Sequence, residues 1–243
     1  SPEENAQEQE TNRRRDSVNL LLLSGGSHPY EESTPVLKGF LESAGHEVTI
    51  REDADALTDG TVESADALVF NTLRVGEMAL DESQQEALKD YIGSGNGFVC
   101  IHISGCVPDT WHGYGDITGG GWVMDQSFHP PYGKFKVDVK NSDHACAEGI
   151  SDFMTDDELY MNIDYRGSNN DVFLSADFES GTYHKNSVRN EEIYMPGGTF
   201  PLAWTRSYGS GKVFVTLLGH DGLSHQNQDF QKLVLNGVDW VTA

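Results

Sequence analysis

The segment GNGFVCIHISG at residues 95–105 carries the pattern that decides the fold. Glycines lead into the apolar run Phe98–Ile103, and serine and glycine follow it directly. A short apolar run between turn residues is typical of a strand that is buried on both faces of a sheet. We therefore predict a buried strand over Phe98–Ile103, with His102 at its end.

Further strands and helices alternate on the N-terminal side of this segment. We predict strands at Val18–Ser24, Val48–Ile50 and Ala67–Asn71. Thr34 is predicted to cap a first helix with Pro35 at its first helical position, and Asp81 to cap a second helix that runs to about Ile92. Strands that alternate with helices indicate an α/β fold, a flavodoxin-like, doubly wound, mostly parallel sheet with helices on both faces.

The remaining chain predicts one domain and a tail. Residues 1–17 are polar and lack aromatic side chains, which is typical of a flexible tail, and residues 18–243 are predicted to form a single domain. Between Ser104 and about Pro131 the alternation of predicted strands and helices is lost, and glycine, histidine and tryptophan are frequent. Strand-like segments then return at Phe135–Val139, Val172–Phe178, Leu202–Thr205 and Val213–Leu218, and a last helix is predicted from about Asp229 to Val241.

The charge balance of the chain excludes several classes of partner. The 243 residues contain 16 Lys and Arg against 39 Asp and Glu, a formal net charge of −23. Nucleic-acid binding depends on basic side chains that neutralise phosphates, so we expect no nucleic-acid partner. No apolar run is long enough to cross a membrane. Because the acidic residues are scattered, we interpret them as the solvated surface of an acidic, halophilic protein.

The cysteine content indicates a reducing compartment. Cys100, Cys106 and Cys146 are an odd number and form no C-x-x-C pair, so neither a disulfide framework nor a thiolate zinc site is expected. A cytoplasmic protein is the better expectation, although export with a removed signal peptide stays open. The sequence does not decide the oligomeric state, and a homo-oligomer is one option.

Polar residues that follow the predicted strands define a candidate site. Ligands of an open parallel sheet bind beyond the carboxyl ends of its strands. Residues in these positions are His28, Asn71, Arg74, His102, His220 and Asp221, and irregular segments that could cover them contain His129, Glu158 and Tyr160. We predict that the residues at the strand ends meet at one edge of the sheet, whereas the sequence does not place Glu158 and His129.

A series of motifs resembles one known family. They are GGSHPY, CIH followed by Trp111-His112-Gly113-Tyr114, FHPPYGKF, DHACAEGISDF, DELY, PLAWTRSYGSGKVFVTLLGHD and FQKLVLNGVDW. Their order from about Val18 to the C-terminus is similar to that of the trehalose-utilisation (ThuA-like) family. The resemblance implies a class I glutamine amidotransferase-like fold and a role in carbohydrate catabolism, including routes through 3-keto-sugars.

The resemblance also places the histidines. True amidotransferases carry a nucleophilic cysteine on an elbow after a strand, and a histidine after a later strand. Here His102 takes the elbow position and His220 the later one, while Cys100 lies two residues earlier within the strand. Glutamine hydrolysis by a thiolate is therefore not expected. A hydrolase that uses the nearby Cys106 remains an alternative.

The chemistry of these histidines and of Glu158 allows two roles, metal binding or acid–base catalysis. His28, His102 and His220 with Glu158 are a suitable ligand set for a divalent metal such as Zn²⁺, Mn²⁺ or Ni²⁺. Alternatively, His102, His220 and Glu158 act as catalytic acid and base without a metal. Either use suits isomerisation, elimination or hydrolysis of a keto-sugar, since both stabilise the charge that develops beside a carbonyl.

The other selected residues are assigned to binding a small carbohydrate. Trp111 and Tyr114 are suited to stacking on sugar rings, although both are equally ordinary in a core. The full predicted binding set is His28, Asn71, Arg74, Trp111, Tyr114, His129, Tyr160 and Asp221. No nucleotide cofactor is expected, because Gly209-Ser210-Gly211-Lys212 lacks the earlier glycine and the following helix of a P-loop. A non-catalytic sugar-binding or regulatory module is a further alternative.

Overall fold

A computed structural model describes residues 16–184 and 191–243, and in these residues thirteen strands and five α-helices are found. The strands are β1 Asn19–Gly25, β2 Glu47–Arg51, β3 Ala67–Thr72, β4 Gly97–Ile101, β5 Gly120–Gly121, β6 Gly133–Val139, β7 Phe153–Asp157, β8 Asp164–Tyr165, β9 Asp171–Phe178, β10 Gly181–His184, β11 Glu192–Met195, β12 Gly198–Tyr208 and β13 Gly211–Thr216. The helices are α1 Tyr30–Ser43, α2 Glu82–Gly93, α3 Tyr114–Thr118, α4 Gly222–Gln226 and α5 Gln228–Thr242.

A nine-stranded sheet in the order β2-β1-β3-β4-β13-β12-β9-β6-β7 organises the fold. The first five strands are parallel to one another. The remaining four continue the sheet through antiparallel pairs. The predicted doubly wound α/β fold is therefore confirmed, and its parallel core places the ends of β1, β3, β4 and β13 along one edge. The antiparallel strands extend the sheet beyond that predicted core.

The apolar run of β1 shows why the sheet is covered on both faces. Leu20–Leu23 are at most 1% exposed. Leu20 and Leu22 pack in the same apolar cluster as residues of α1 and α5, whereas Leu21 and Leu23 pack in the cluster that contains residues of α2 and α3. Side chains alternate along a strand, so a strand buried on both faces must be apolar at every position.

The first helix begins earlier than the sequence pattern predicts. Helix α1 starts at Tyr30, and Pro35 lies inside it, so the prediction of Pro35 as the first helical residue is wrong. The Thr34 hydroxyl does not cap the helix. It is 2.7 Å from the Ser24 hydroxyl and accepts a hydrogen bond from the Asn71 amide at 3.2 Å, so it ties α1 to the sheet.

The cap of helix α2 is confirmed. The Asp81 carboxylate accepts a hydrogen bond from the backbone N–H of Gln84 at 2.8 Å, and the Gln84 amide oxygen accepts one from the backbone N–H of Asp81 at 3.0 Å. These reciprocal bonds form a capping box, which satisfies N–H groups that have no partner within the helix.

We expect Asp81→Ala to lower the free energy of unfolding by about 1 kcal/mol, because the first turn of α2 loses its acceptor. Urea denaturation of the variant and the parent measures the difference. Asp81→Asn serves as a control, since an asparagine oxygen still caps, and equal losses in both variants would contradict this role of the side chain.

Strand β4 ends two residues earlier than predicted. Ile101 is its last residue, and His102 has a φ of 55°, in the left-handed region. The chain then turns through the short 3-10 helix His102–Gly105. A residue in the left-handed conformation cannot continue a strand, so the apolar pattern through Ile103 overestimates its length.

The structure leaves two predictions from the sequence, the N-terminal tail and the single domain, largely untested. Residues 1–15 of the predicted tail lie outside the described residues, and the single-domain organisation stays a prediction. Among the helices in the described part of the chain, none combines the length and apolar character that a membrane span requires.

Candidate active site and metal centre

His102 stands at the centre of the carboxyl edge of the parallel strands. Its left-handed backbone lifts the side chain off the end of β4, as expected of a strand-to-turn elbow. The imidazole is 2% exposed, and its Nδ1 lies 2.6 Å from the carbonyl oxygen of Leu217, just beyond β13. Two adjacent strands therefore fix the position of this ring, and its Nε2 atom is directed away from Leu217.

The Glu158 carboxylate joins three imidazoles. Its Oε2 atom lies 3.1 Å from Nδ1 of His220 and 3.3 Å from Nε2 of His102. Its Oε1 atom lies 3.2 Å from Nε2 of His129. Glu158 is 3% exposed and directly follows β7, so the chain after that edge strand returns over the ends of β4 and β13. The structure thus places Glu158 and His129, which the sequence alone does not position, against His102 and His220.

His28 completes a cluster with the geometry of a metal site. Its ring centroid lies 5.1 Å from that of His220 and 5.6 Å from that of His102. One ligand atom from each of His28, His102, Glu158 and His220 lies within 4.8 Å of all the others. We call these four residues the His3Glu cluster. It contains the three histidines that the sequence predicts as metal ligands, together with the predicted catalytic carboxylate.

Backbone carbonyls determine which imidazole nitrogens carry protons. Nδ1 of His28 lies 2.7 Å from the Ser27 carbonyl oxygen, and Nδ1 of His129 lies 2.6 Å from that of Pro130. A carbonyl oxygen only accepts hydrogen bonds, so Nδ1 of both rings, and that of His102, must be the donor. An Nε2 atom of such a ring that carries no proton can bind a metal, and an N–H held by a carbonyl is common in metal-binding histidines.

The charge of Glu158 favours a proton or a metal ion between it and its imidazole partners. Burial raises the pKa of Glu158, but the contacts with His102, His129 and His220 lower it by more, so the net shift of the pKa is downward and the carboxylate stays ionised. Where Nε2 of His102 or His129 carries no proton, its lone pair faces this anion. Two acceptors facing each other at these distances need a proton or a metal ion between them.

His28 and His220 respond to this environment in opposite directions. Burial, together with the charges of His102 and His220, lowers the pKa of His28 to about 3, so His28 is neutral near pH 7. Its buried Nε2 atom has no hydrogen-bond partner. Burial also lowers the pKa of His220, but the hydrogen bond and charge of Glu158 raise it by more. The cluster thus contains one neutral imidazole, His28, whose Nε2 has no hydrogen-bond partner, and one imidazole, His220, whose pKa is raised.

Asp157 holds the two halves of the cluster together. Its buried carboxylate accepts hydrogen bonds from the backbone N–H groups of Gly219 at 2.7 Å, Glu158 at 2.9 Å and His220 at 3.1 Å. These bonds connect the end of β7 to the loop after β13. The predicted site does not include Asp157, although its position directly before Glu158 in the DELY motif could have indicated it.

Aromatic side chains form one wall of the site. The Tyr160 hydroxyl lies 2.5 Å from Nε2 of His102, and because the proton of this ring is on Nδ1, the hydroxyl is the donor. Trp122 packs on Tyr160 with ring centroids 4.5 Å apart, and Tyr132 lies 5.6 Å from the ring of His220. Tyr160 was predicted, whereas Trp122 and Tyr132 were missed because neither directly follows a strand of the parallel core.

Two residues of the predicted binding set have structural contacts outside the cluster. The Asn71 amide donates to the hydroxyls of Ser33 and Thr34. The Asp221 carboxylate caps α4 by accepting from the backbone N–H of Ser224 at 2.9 Å, and it also accepts from the Tyr132 hydroxyl at 3.1 Å. Binding of a substrate by these two side chains stays a prediction.

Arg74, Trp111 and Tyr114 lie together at a second location. All three line a narrow pocket with room for about 10 Å³. The rings of Trp111 and Tyr114 are 5.3 Å apart, and the Tyr114 hydroxyl donates to the carbonyl of Ser104, two residues after His102. The structure therefore divides the predicted site into the His3Glu cluster and this neighbouring pocket.

The three cysteines have the properties of inert core residues. All are free and buried, and burial raises the pKa of each to about 12. We expect iodoacetamide at pH 8 to modify none of them in the native protein and all three after denaturation, because the thiolate is the reactive form. Mass spectrometry counts the modified residues. Rapid native labelling of Cys106 with loss of turnover would instead support a cysteine hydrolase.

Comparisons with known proteins extend these observations. A family model described as trehalose utilisation (ThuA) matches residues 19–241. A ThuA-like protein of Parabacteroides merdae has a TM-score of 0.73 at 21% identity, over 94% of this chain and 91% of that one. A ThuA-like protein of Bacteroides uniformis has a TM-score of 0.70 at 16% identity, over 92% and 90%.

The fold extends to an amidotransferase-like protein. A Thermoplasma acidophilum protein, described as one subunit of a GMP synthase, has a TM-score of 0.53 at 14% identity, over 93% of this chain and 94% of that one. Among curated proteins, no sequence match is found. At these identities the structural neighbours show a shared fold.

Proposed function

This chain belongs to the trehalose utilisation (ThuA) family, and from that premise and the His3Glu cluster we propose that it is an enzyme acting on a sugar or keto-sugar with the help of a divalent metal. Membership of this family supports a function related to carbohydrates. The observation that supports an enzyme is the partly buried group of three imidazoles and one carboxylate, with ligand atoms within 4.8 Å of one another.

The donor set suits Zn²⁺, Mn²⁺ or Ni²⁺. Imidazole nitrogens and a carboxylate oxygen are common ligands of these ions, whereas Mg²⁺ and Ca²⁺ prefer oxygen ligands. Nε2 of His28 is buried and has no hydrogen-bond partner, which an ion in the cluster would supply. Nε2 of His102 accepts from the Tyr160 hydroxyl, so Tyr160 must release this atom when a metal binds there.

The surrounding residues support proton transfer beside a carbonyl. A bound divalent metal would polarise the carbonyl of a keto-sugar and stabilise the negative charge that develops on its oxygen. In the protein, Glu158 and its imidazole partners hold or move a proton, and the proximity of His129 and Tyr160 keeps these groups oriented. Isomerisation and elimination both begin with removal of a proton beside the carbonyl, so the cluster fits either reaction.

Access to the cluster is restricted to one side. The side chains of His102 and Glu158 are 2% and 4% exposed, whereas that of His220 is 20% exposed. His28 is also partly exposed, while Tyr160 and Trp122 close the opposite side. A sugar would therefore approach past His28 and His220, and its carbonyl would reach the cluster from there.

Metal analysis tests this proposal directly. We expect protein purified without metal-affinity resin to contain about one equivalent of Zn, Mn or Ni per chain. A panel of keto-disaccharides, followed by chromatography, should show turnover that a chelator abolishes and that the same metal restores.

Two outcomes would contradict the proposal in different ways. Turnover that is unaffected by the chelator, in protein without metal, would indicate acid–base catalysis by the cluster alone. Tight sugar binding without turnover under every metal condition would indicate a non-catalytic binding module.

A further inference from the structure

One nitrogen of the His3Glu cluster is engaged by a side chain that does not belong to the cluster. The Tyr160 hydroxyl lies 2.5 Å from Nε2 of His102, whereas Oε2 of Glu158 lies 3.3 Å from the same atom. Nε2 of His28, by contrast, is buried and has no hydrogen-bond partner. The hydroxyl of Tyr160 is therefore closer than the carboxylate to the nitrogen that would bind a metal at His102.

This hydrogen bond and a metal at His102 exclude each other. Nδ1 of His102 donates its proton to the Leu217 carbonyl at 2.6 Å, so a neutral ring has its lone pair on Nε2. A zinc ion bound to an imidazole nitrogen lies about 2.0–2.1 Å from it. The hydroxyl proton uses the same lone pair, so the hydroxyl has to turn or move away before the ion can bind.

The surroundings of Tyr160 hold its ring against His102. The side chain is 2% exposed, and its ring lies 4.3 Å from that of His102 and 4.5 Å from that of Trp122. The adjacent backbone is fixed as well, because Met161 exchanges hydrogen bonds of 2.8 and 3.1 Å with Phe128. The packing thus keeps the hydroxyl at Nε2, and its displacement costs the free energy of a buried hydrogen bond.

We propose that Tyr160 controls metal loading, because its hydroxyl competes with the ion for Nε2 of His102 and lowers the affinity of the cluster for metal. The inference rests on the proposed function in taking the cluster to be a metal site. It adds a residue that is not a ligand and yet sets how tightly the ion is held. An ion held less tightly exchanges more readily with its surroundings.

The metal affinity of Tyr160→Phe tests the inference. Full-length protein treated with a chelator and then dialysed is titrated with Zn²⁺, Mn²⁺ and Ni²⁺ in turn, in competition with a chromophoric chelator. We expect Tyr160→Phe to bind at least one ion about three- to tenfold more tightly than the parent, because phenylalanine keeps the ring and removes only the competing hydroxyl. Loss of a ligand would give the opposite sign. Equal affinity would overturn the inference, and weaker binding would overturn it by identifying the hydroxyl as a ligand.

Tyr91→Phe is the matched control. Tyr91 is buried on α2, outside the cluster, and its hydroxyl donates to the Ala65 carbonyl at 2.7 Å. This variant also loses one buried hydroxyl, so it should bind each ion as the parent does. Circular dichroism verifies that both variants are folded. An equal gain in affinity in both variants would show a general effect of the lost hydroxyl and would overturn the inference.

Nitrogen NMR of the histidine rings gives a readout that needs no metal. In the chelator-treated parent, His102 should show a protonated Nδ1 and an unprotonated Nε2 that accepts a hydrogen bond. Tyr160→Phe should shift the Nε2 signal downfield, toward that of a nitrogen without a hydrogen bond. A protonated Nε2 in the parent, or an Nε2 signal that the substitution does not move, would overturn the inference.

The outcomes distinguish this inference from the proposed function. Metal binding by the parent without turnover of any keto-sugar would contradict the proposed function, while tighter binding by Tyr160→Phe would still support the competition. Binding by Tyr160→Phe alone would support the competition and contradict a metal-assisted function of the parent. If neither protein binds any of the three ions, both proposals fail.

Discussion

Glu158→Gln is expected to lower the affinity for the metal by about 100-fold or more and to reduce turnover by about 10²- to 10⁴-fold. The substitution keeps the shape of the side chain but removes the negative charge that His102, His129 and His220 share. An amide also presents a weaker oxygen ligand than a carboxylate. Element analysis after dialysis and the keto-sugar assay measure the two effects.

The same variant gives a second readout that a merely structural role would not produce. Glu158 is the largest cause that raises the pKa of His220, so the pKa of His220 in metal-free Glu158→Gln should fall below that of the metal-free parent. NMR titration of the histidine ring signals measures this shift. The exposed Glu148→Gln is the matched control and should change neither metal content nor the pKa of His220. Full metal occupancy in Glu158→Gln would exclude the carboxylate as a ligand.

The sequence predicts those parts of the site that depend on the parallel core. His28, His102 and His220 each follow a strand of this core, and parallel strands end at a common edge. Their convergence could therefore be predicted from strand positions alone. Glu158 lies beyond β7 at the opposite edge of the sheet, and its approach depends on how the antiparallel strands and the following loop return. No local sequence pattern predicts that path, so only the family resemblance indicated Glu158 as a site residue.

At two positions the same side chain suits two roles, and the sequence alone does not choose between them. The Thr34-Pro35 pair matches a helix start, yet the Thr34 hydroxyl bonds within the core and α1 begins earlier. Asp221 follows a strand as a ligand-binding residue would, yet its carboxylate caps α4. In both places the same side chain suits a capping and a contact role, and only the tertiary neighbours decide between them. The halophilic interpretation of the net charge likewise stays a prediction that stability curves in dilute buffer and molar salt would test.

Replacing His102 tests both the site and its backbone. His102→Gly and His102→Ala each remove a predicted metal ligand, so both are expected to lose stoichiometric metal and at least 100-fold in turnover. His112→Ala is the matched control for these effects, since that histidine is exposed and lies outside the cluster. Metal retention or parental activity in folded His102→Ala would remove the central residue of the proposed site.

The two His102 variants should differ from each other in stability, with a sign that is specific to the elbow. At a φ of 55° a glycine adopts the backbone freely, whereas alanine retains the strain of the left-handed region. We expect His102→Gly to be more stable than His102→Ala by about 1 kcal/mol in urea denaturation with chelator present. At Lys89, within α2, the same pair of substitutions should give the opposite sign, because alanine favours a helix over glycine by about 1 kcal/mol. If His102→Ala is as stable as His102→Gly, the backbone at position 102 relaxes once the imidazole is gone. The strained φ would then be imposed by the contacts of the imidazole and not by the surrounding turn.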